Sequence, residues 1–425
     1  MNDSSSNSQI PASSARLEPM IGRDPRETGR AASPLELLFD LTFVVAVGAA
    51  ATQFAEMLSE GHILSAVGAF VLAMFAVCAA WISFTWFGSA FDTDDWLYRI
   101  LTMVQMVGVV VFTLGIRPMF HSLETGELDL RLMVLGYVIM RLSIVVQWWR
   151  VAHSARAYSR LARVNIAWTI LAQIGWVVIA FASLPNQIAL PALLVVGILE
   201  MTIPRLSQGP ASKLPWHPRH LAERYSLFAI IVLGEGIVGT VASSAGLLGS
   251  TAELSWTAET ATIVAAGTGL TFGMWWVYFI APFSDLLEYQ RSRGYLFGYG
   301  HIPLFIGIAG AGAGLHAAGL YLEGHSHLDE MGTALALILP VALFLTSIYV
   351  LYALLIPASD TFHYALVGTT ALVLAGAAVM AYLHVPFAAV LLAIVIAPFI
   401  TAIGYETGGH RHQSETIESL RLNGR

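Results

Sequence analysis

From Ile63 to Phe91 the chain contains no Asp, Glu, Lys or Arg. Stretches of the same kind, about twenty residues each, recur along its length and match the thickness of a bilayer core. In hydrocarbon every backbone N–H and C=O must be paired internally, which leaves only helices and closed barrels. The period-two alternation of barrel strands is missing, so the stretches read as helices. Charge content agrees. Only 12% of the 425 residues are charged, against roughly 25% in a soluble domain, too few to coat a soluble surface of this size. The fold class is an all-α polytopic membrane protein with about twelve transmembrane helices, and its first partner is the lipid bilayer.

The spans read as 35–56, 63–88, 97–116, 130–150, 164–184, 188–204, 221–244, 258–281, 296–320, 333–357, 362–383 and 386–404. With the N-terminus inside, all of the 21 basic residues except Arg117, Arg131 and Arg141 fall on cytoplasmic segments. An error of one span would scramble that alternation. Both termini are therefore expected in the cytoplasm of a cell whose inner membrane holds the protein. Residues 1–32, rich in Ser and Arg and without an apolar core, read as a disordered cytoplasmic tail.

The chain repeats itself at an offset of roughly 190 residues. Glu36-Leu-Leu-Phe-Asp40 opens span one as Glu223-Arg-Tyr-Ser-Leu227 opens span seven. Trp81, Trp86, Phe91-Asp92 and Arg99 are echoed by Trp275-Trp276, Phe283-Ser284-Asp285 and Arg291. The expected organisation is two parallel six-helix repeats, 33–204 and 221–404, joined by a cytoplasmic linker 205–220 and followed by a cytoplasmic tail 405–425. Halves of six spans share an orientation and are related by an axis along the membrane normal, a plan found in transporters.

On Pro34-Leu-Glu-Leu-Leu-Phe-Asp-Leu-Thr-Phe-Val44 and His220-Leu-Ala-Glu-Arg-Tyr-Ser-Leu-Phe-Ala-Ile-Ile-Val-Leu-Gly-Glu235 the sequence resembles the bacterial low-temperature-requirement A (LtrA) family. The Trp-rich second and eighth spans agree, and the likeness covers residues 33–405. Tyr225 stands where Phe is expected and Gly236 where Ser is usual. The resemblance implies a multi-pass bacterial membrane protein and brings no activity with it.

Ionisable groups inside spans are the functional candidates. Glu36 and Asp40 share a helix face at i, i+4. Ser33-Pro34-Leu35-Glu36 also reads as a capping box, which accounts for Glu36 and leaves Asp40 unexplained. His220, Glu223 and Arg224 sit at the mouth of span seven. An acidic cluster of Glu36, Asp40 and Glu223, tuned by His220 and Arg224, is the expected ligand-binding or ion-coupling site. Arg224 could instead simply neutralise Glu223. Arg141 and Glu235, both near mid-membrane, are expected to form a buried ion pair, with Glu200 able to reach the interface. His301 and His316 read as packed, hydrogen-bonded histidines, and the glycines flanking Glu235 as a place where the helix could open.

The single cysteine, Cys78, excludes an intrachain disulfide, and a charge of −7 leaves no nucleic-acid footprint. No motif calls for a cofactor or metal, and no catalytic array appears at mid-depth. The expected function is a secondary transporter or channel for a small ion or solute. The alternatives are a membrane scaffold or sensor without transport, and a membrane-embedded lipid-processing enzyme.

Overall fold

The computed structural model describes residues 17–125, 128–182, 184–208, 213–249, 258–356, 361–409 and 418. Its α-helices are α1 Pro34–Ser59, α2 Ile63–Phe91, α3 Trp96–Leu114, α4 Ile116–Thr125, α5 Arg131–Ser154, α6 Ser159–Phe181 and α7 Asn186–Ser207. They continue as α8 Pro218–Gly249, α9 Ala258–Ile280, α10 Phe283–Tyr289, α11 Gly294–Leu322, α12 Glu330–Leu355, α13 Thr361–Tyr382 and α14 Phe387–Gly404. Among the described residues, 12 helices or helix runs are long and apolar enough to cross a membrane. The short α4 and α10 extend the third and eighth of them.

Local chemistry sets the helix starts. Ser33 accepts from the Glu36 N–H while Glu36 accepts from the Ser33 N–H, closing the capping box that starts α1. Asp95 and Asp329 cap α3 and α12 by accepting from the Tyr98 and Gly332 N–H, without the reciprocal bond.

The centre of the bundle is α11, the most enclosed helix, packed along α8 on one side and α12 on the other. Glycines allow both approaches. A Cβ on Gly312 would lie 2.6 Å from the Glu235 backbone in α8, and one on Gly314 would lie 2.4 Å from a carbonyl of α12. With no hydrophobic drive between helices in lipid, such close backbone packing is a main source of association. In the first half α3 packs on α5 in the same manner, through Gly108 and Gly136.

One seam differs between the halves. In the second half α14 packs along α9, with Pro398 and Phe399 against Gly273. In the first half α7 leans on α6 and approaches α2 near Gly197 and Phe75. A cavity lies between α7 and α2.

The expectation of a disordered tail through residue 32 is corrected for residues 17–32; residues 1–16 lie outside the described part. Met20 is fully buried, and Arg30 donates to the carbonyls of Ser89 (2.5 Å) and Gly88 (2.8 Å) at the end of α2. The Arg23 N–H donates to the Ala90 carbonyl, and Glu27 offers its own carbonyl to His217. The last carbonyls of a helix lack partners within it, so a basic segment crossing that end finds acceptors waiting. Beyond α14, Glu406 accepts from Trp276 of α9.

Candidate functional site

Two of the buried arginines, Arg224 and Arg141, organise the polar interior. Arg224 of α8 is fully enclosed and bridges to α1. Its Nε and Nη2 donate to Asp40 at 3.0 and 2.5 Å, and Nη1 donates to Glu36 at 2.7 Å. Trp81 of α2 donates to Asp40 at 2.7 Å. The second Glu36 oxygen accepts the Ser33 N–H at 2.9 Å and lies 3.2 Å from His220 Nε2. An acceptor-only carboxylate there assigns the proton to Nε2, leaving His220 Nδ1 buried without a partner. Two carboxylates and one guanidinium sum to −1 with His220 neutral and to zero with it protonated. The cluster ties α1 to α8 and is packed shut by Phe39, Phe84 and Trp81.

Glu36, Asp40, His220 and Arg224 therefore come together. The expected acidic trio does not form, because Glu223 stays outside. Successive residues point about 100° apart on a helix. With Arg224 turned to α1, Glu223 faces elsewhere, half-buried and without a hydrogen bond or ion pair among the described residues. His217 is also drawn off, bonded through Nε2 to the Glu27 carbonyl.

The expected Arg141–Glu235 pair is corrected as well. Arg141 of α5 lies 2.6 Å from Glu200 of α7 and donates to the Tyr137 hydroxyl at 2.6 Å. Tyr137 and Trp176 both donate to Glu200, at 2.7 and 3.2 Å. The physical reason is helix order. α5 packs chiefly on α3 and α6, whereas Glu235 sits on α8 among α9 and α11. Matching Cα depth also ignored the long arginine stem, which reaches toward the shallower Glu200. Glu200, set aside in the sequence, is the partner.

Beside this pair lies the cavity, of about 70 Å³, lined by α2, α5, α6, α7 and α11. That is room for several waters or a solute of a few atoms. Arg141, Glu200, Asn165, Thr169, Gln208 and Tyr299 bring polar groups to it, and Trp86, Phe87 and Trp148 supply aromatic walls. Arg141 Nε is buried and unpartnered. Asn165, Thr169 and Gln173 form a buried stripe on α6 at i, i+4 and i+8. The sequence carries that signal as three uncharged polar residues at helical spacing in an apolar span, which charge alone does not reveal.

The flanks of Glu235 also take a different role. α8 is continuous through Gly234 and Gly236. A Cβ on Gly236 would lie 2.2 Å from the Thr271 hydroxyl, so this glycine serves the packing of α8 on α9. Tyr225 uses its hydroxyl to accept from Trp86 at 3.2 Å, a bond that Phe could not make.

Outside the spans, two aspartates at the arginine-rich end differ. Burial, and then the Glu36 charge, push Asp92 up to about 6. At Asp95 burial is outweighed by the Tyr98 N–H and the paired Arg150 guanidinium, which hold its carboxyl below its ordinary value.

Among the described residues, twelve apolar helices or helix runs around a buried polar interior define a polytopic α-helical membrane protein. Residues 31–398 match the family described as bacterial low temperature requirement A protein (LtrA), and the chain belongs to that family. It is also similar to an uncharacterised protein of Rhizobium meliloti (strain 1021), 27% identical over 290 residues. That match covers 64% of this chain and 66% of the relative, just under two thirds of the relative's length. No solved structure matches.

Proposed function

We propose that the protein is a secondary transporter of a small polar solute, bound in the cavity between α2 and α7. The observation that carries this reading is the cavity itself. An Arg141–Glu200 pair and the Asn165–Thr169 stripe face an open space at a depth where hydrocarbon would exclude them, and the corresponding seam between α9 and α14 is packed. Polar groups in lipid are expensive and mark solute paths. Adjacent plus and minus charges with aromatic walls suit a zwitterionic solute. By the positive-inside rule the arginine-rich end is cytoplasmic, in the inner membrane of a bacterium, and the cavity is reached from that side.

In this reading the two six-span halves, 33–204 and 221–404, rock about the Glu36–Asp40–Arg224–His220 cluster, which joins their first helices and remains closed. The ligand-binding role expected of that cluster passes to the cavity, and Glu223 has no part in either.

The test is uptake by purified protein in proteoliposomes, using labelled amino acids, sugars and organic cations under an imposed pH or sodium gradient. Zwitterion uptake that Thr169→Leu abolishes, with the variant still folded, supports the reading. If no solute class is taken up, or if filling the cavity changes nothing, the reading fails. A scaffold or sensor without transport would tolerate the filled cavity.

A further inference from the structure

Of the buried carboxylates among the described residues, Glu235 alone has no arginine beside it. It is 7% exposed, and among the described residues its side chain has no hydrogen bond and no ion pair. Ser244 follows it by nine positions, roughly 14 Å further along α8 toward the end of the bundle opposite the arginines. Its head points at α1. A Cβ on Gly48 would lie 3.0 Å from Oε1, while Gly312 of α11 closes on its backbone. Two glycines thus make a slot that admits the carboxyl group and little else.

The groups around the slot are sparse. On α1 the ionisable residues nearest Gly48 are Asp40 and Glu56, each about two turns away along the helix. On α11 His301 lies three turns from Gly312 and His316 one turn. α9 presents Thr271 to the neighbouring Gly236, and α2 is represented only by the thiol of Cys78. An isolated anion here would cost several kcal/mol, so the site calls for a cation. A calcium or magnesium ion needs six or more oxygens, and among the described residues no group of three His, Cys, Asp or Glu is placed to hold a metal ion. The carbonyls nearby are committed within continuous helices, and no second carboxylate is adjacent. A proton needs one oxygen.

We propose that Glu235 is a proton-binding site that loads and unloads through His316 toward the end of the bundle opposite the arginines. His316 follows Gly312 by four residues on the same side of α11, is half-buried, and lies within the field of Glu56 and Glu323 at that end. Gly239 and Ser243, one and two turns beyond Glu235 on its face of α8, let α11 close along this path. The step is a simple transfer: the carboxyl O–H breaks, the proton passes to the His316 imidazole, and the imidazolium gives it to water. That this proton drives solute movement rests on the transporter reading; the proton site itself does not.

Infrared difference spectroscopy of the full-length protein in lipid tests both parts. At neutral pH the wild type should show the carbonyl band of a protonated carboxyl, absent from Glu235→Gln. Gly48→Ala, which presses on Oε1, should shift that band. His316→Gln should slow its hydrogen–deuterium exchange at least tenfold. An ionised Glu235, seen as no band lost in Glu235→Gln, overturns the proposal, as does exchange at the wild-type rate without His316. Size-exclusion profiles establish that each variant is folded. In proteoliposomes, uptake that keeps its full pH-gradient dependence in Glu235→Gln would refute coupling while leaving the transporter intact. Absence of uptake in every variant would refute the transporter and leave the infrared result to decide the proton site.

Discussion

Arg224 and Arg141 are both buried arginines, and they meet the cost of burial differently. Arg224 is 0% exposed and satisfies two carboxylates with three directed bonds, in a site with a tryptophan donor and aromatic walls. Arg141 is 5% exposed and shares one carboxylate with a tyrosine and a tryptophan, keeps an unpartnered Nε, and borders an open cavity. The first arrangement is a joint whose guanidinium and carboxylates satisfy one another, with His220 Nδ1 left over in a site packed shut by aromatic rings. The second has spare hydrogen-bonding capacity beside empty space, as a binding site requires. Buried charge alone therefore does not single out a candidate site in this protein; an unused donor and room beside the charge do.

The contrast makes Arg224 the more expensive residue to lose. Arg224→Ala strands two carboxylates in a dry interior, and a loss of about 3–5 kcal/mol is expected. Thermal unfolding of the purified protein in detergent would measure it. The triple variant Glu36→Gln, Asp40→Asn, Arg224→Met should recover most of the loss. Arg141→Met strands only Glu200, which keeps its Tyr137 and Trp176 donors and a cavity that admits water. Its cost should be smaller, about 1–3 kcal/mol. Equal costs for the two arginines would break the comparison.

Glu223→Gln sharpens the boundary of the cluster. Glu223 makes none of the bonds that hold α1 to α8, so the change should stay within about 0.5 kcal/mol. A loss as large as that of Arg224→Ala would place it back in the cluster.

Asp92, at the edge of the Glu36 charge, is tested by pH and not by a lost bond. Its folded value of about 6 lies above the ordinary 3.8, so the folded protein holds this proton more tightly than the unfolded chain does. Its contribution to stability is full below about pH 4 and is lost as pH rises through about 6. Melting temperatures across that window should fall for the wild type relative to Asp92→Asn. Parallel pH profiles would show that burial and the Glu36 charge together do not raise Asp92 in the folded protein.

Much of the architecture was legible because the bilayer imposes it. Span length, the spacing of apolar runs and the placement of arginines follow from hydrocarbon thickness and the cost of charge, and each is written in consecutive residues. The capping box at Ser33–Glu36 is local chemistry and was equally readable. So were the four members of the α1–α8 cluster, since i, i+4 spacing puts Glu36 and Asp40 on one face and His220 and Arg224 on another.

What remained hidden was which way each helix turns and which helices are neighbours. A soluble helix announces its inner face by a polar outer one. In a membrane both lipid and interior are apolar, so Leu41 and Val45, exposed on α1, look no different from buried Phe39 and Phe43. Only the packed structure decided that Arg224 faces α1 and Glu223 does not. It also decided that α5 lies near α7, pairing Arg141 with Glu200 and leaving Glu235 alone, because partner choice between buried charges depends on distances that no linear spacing contains.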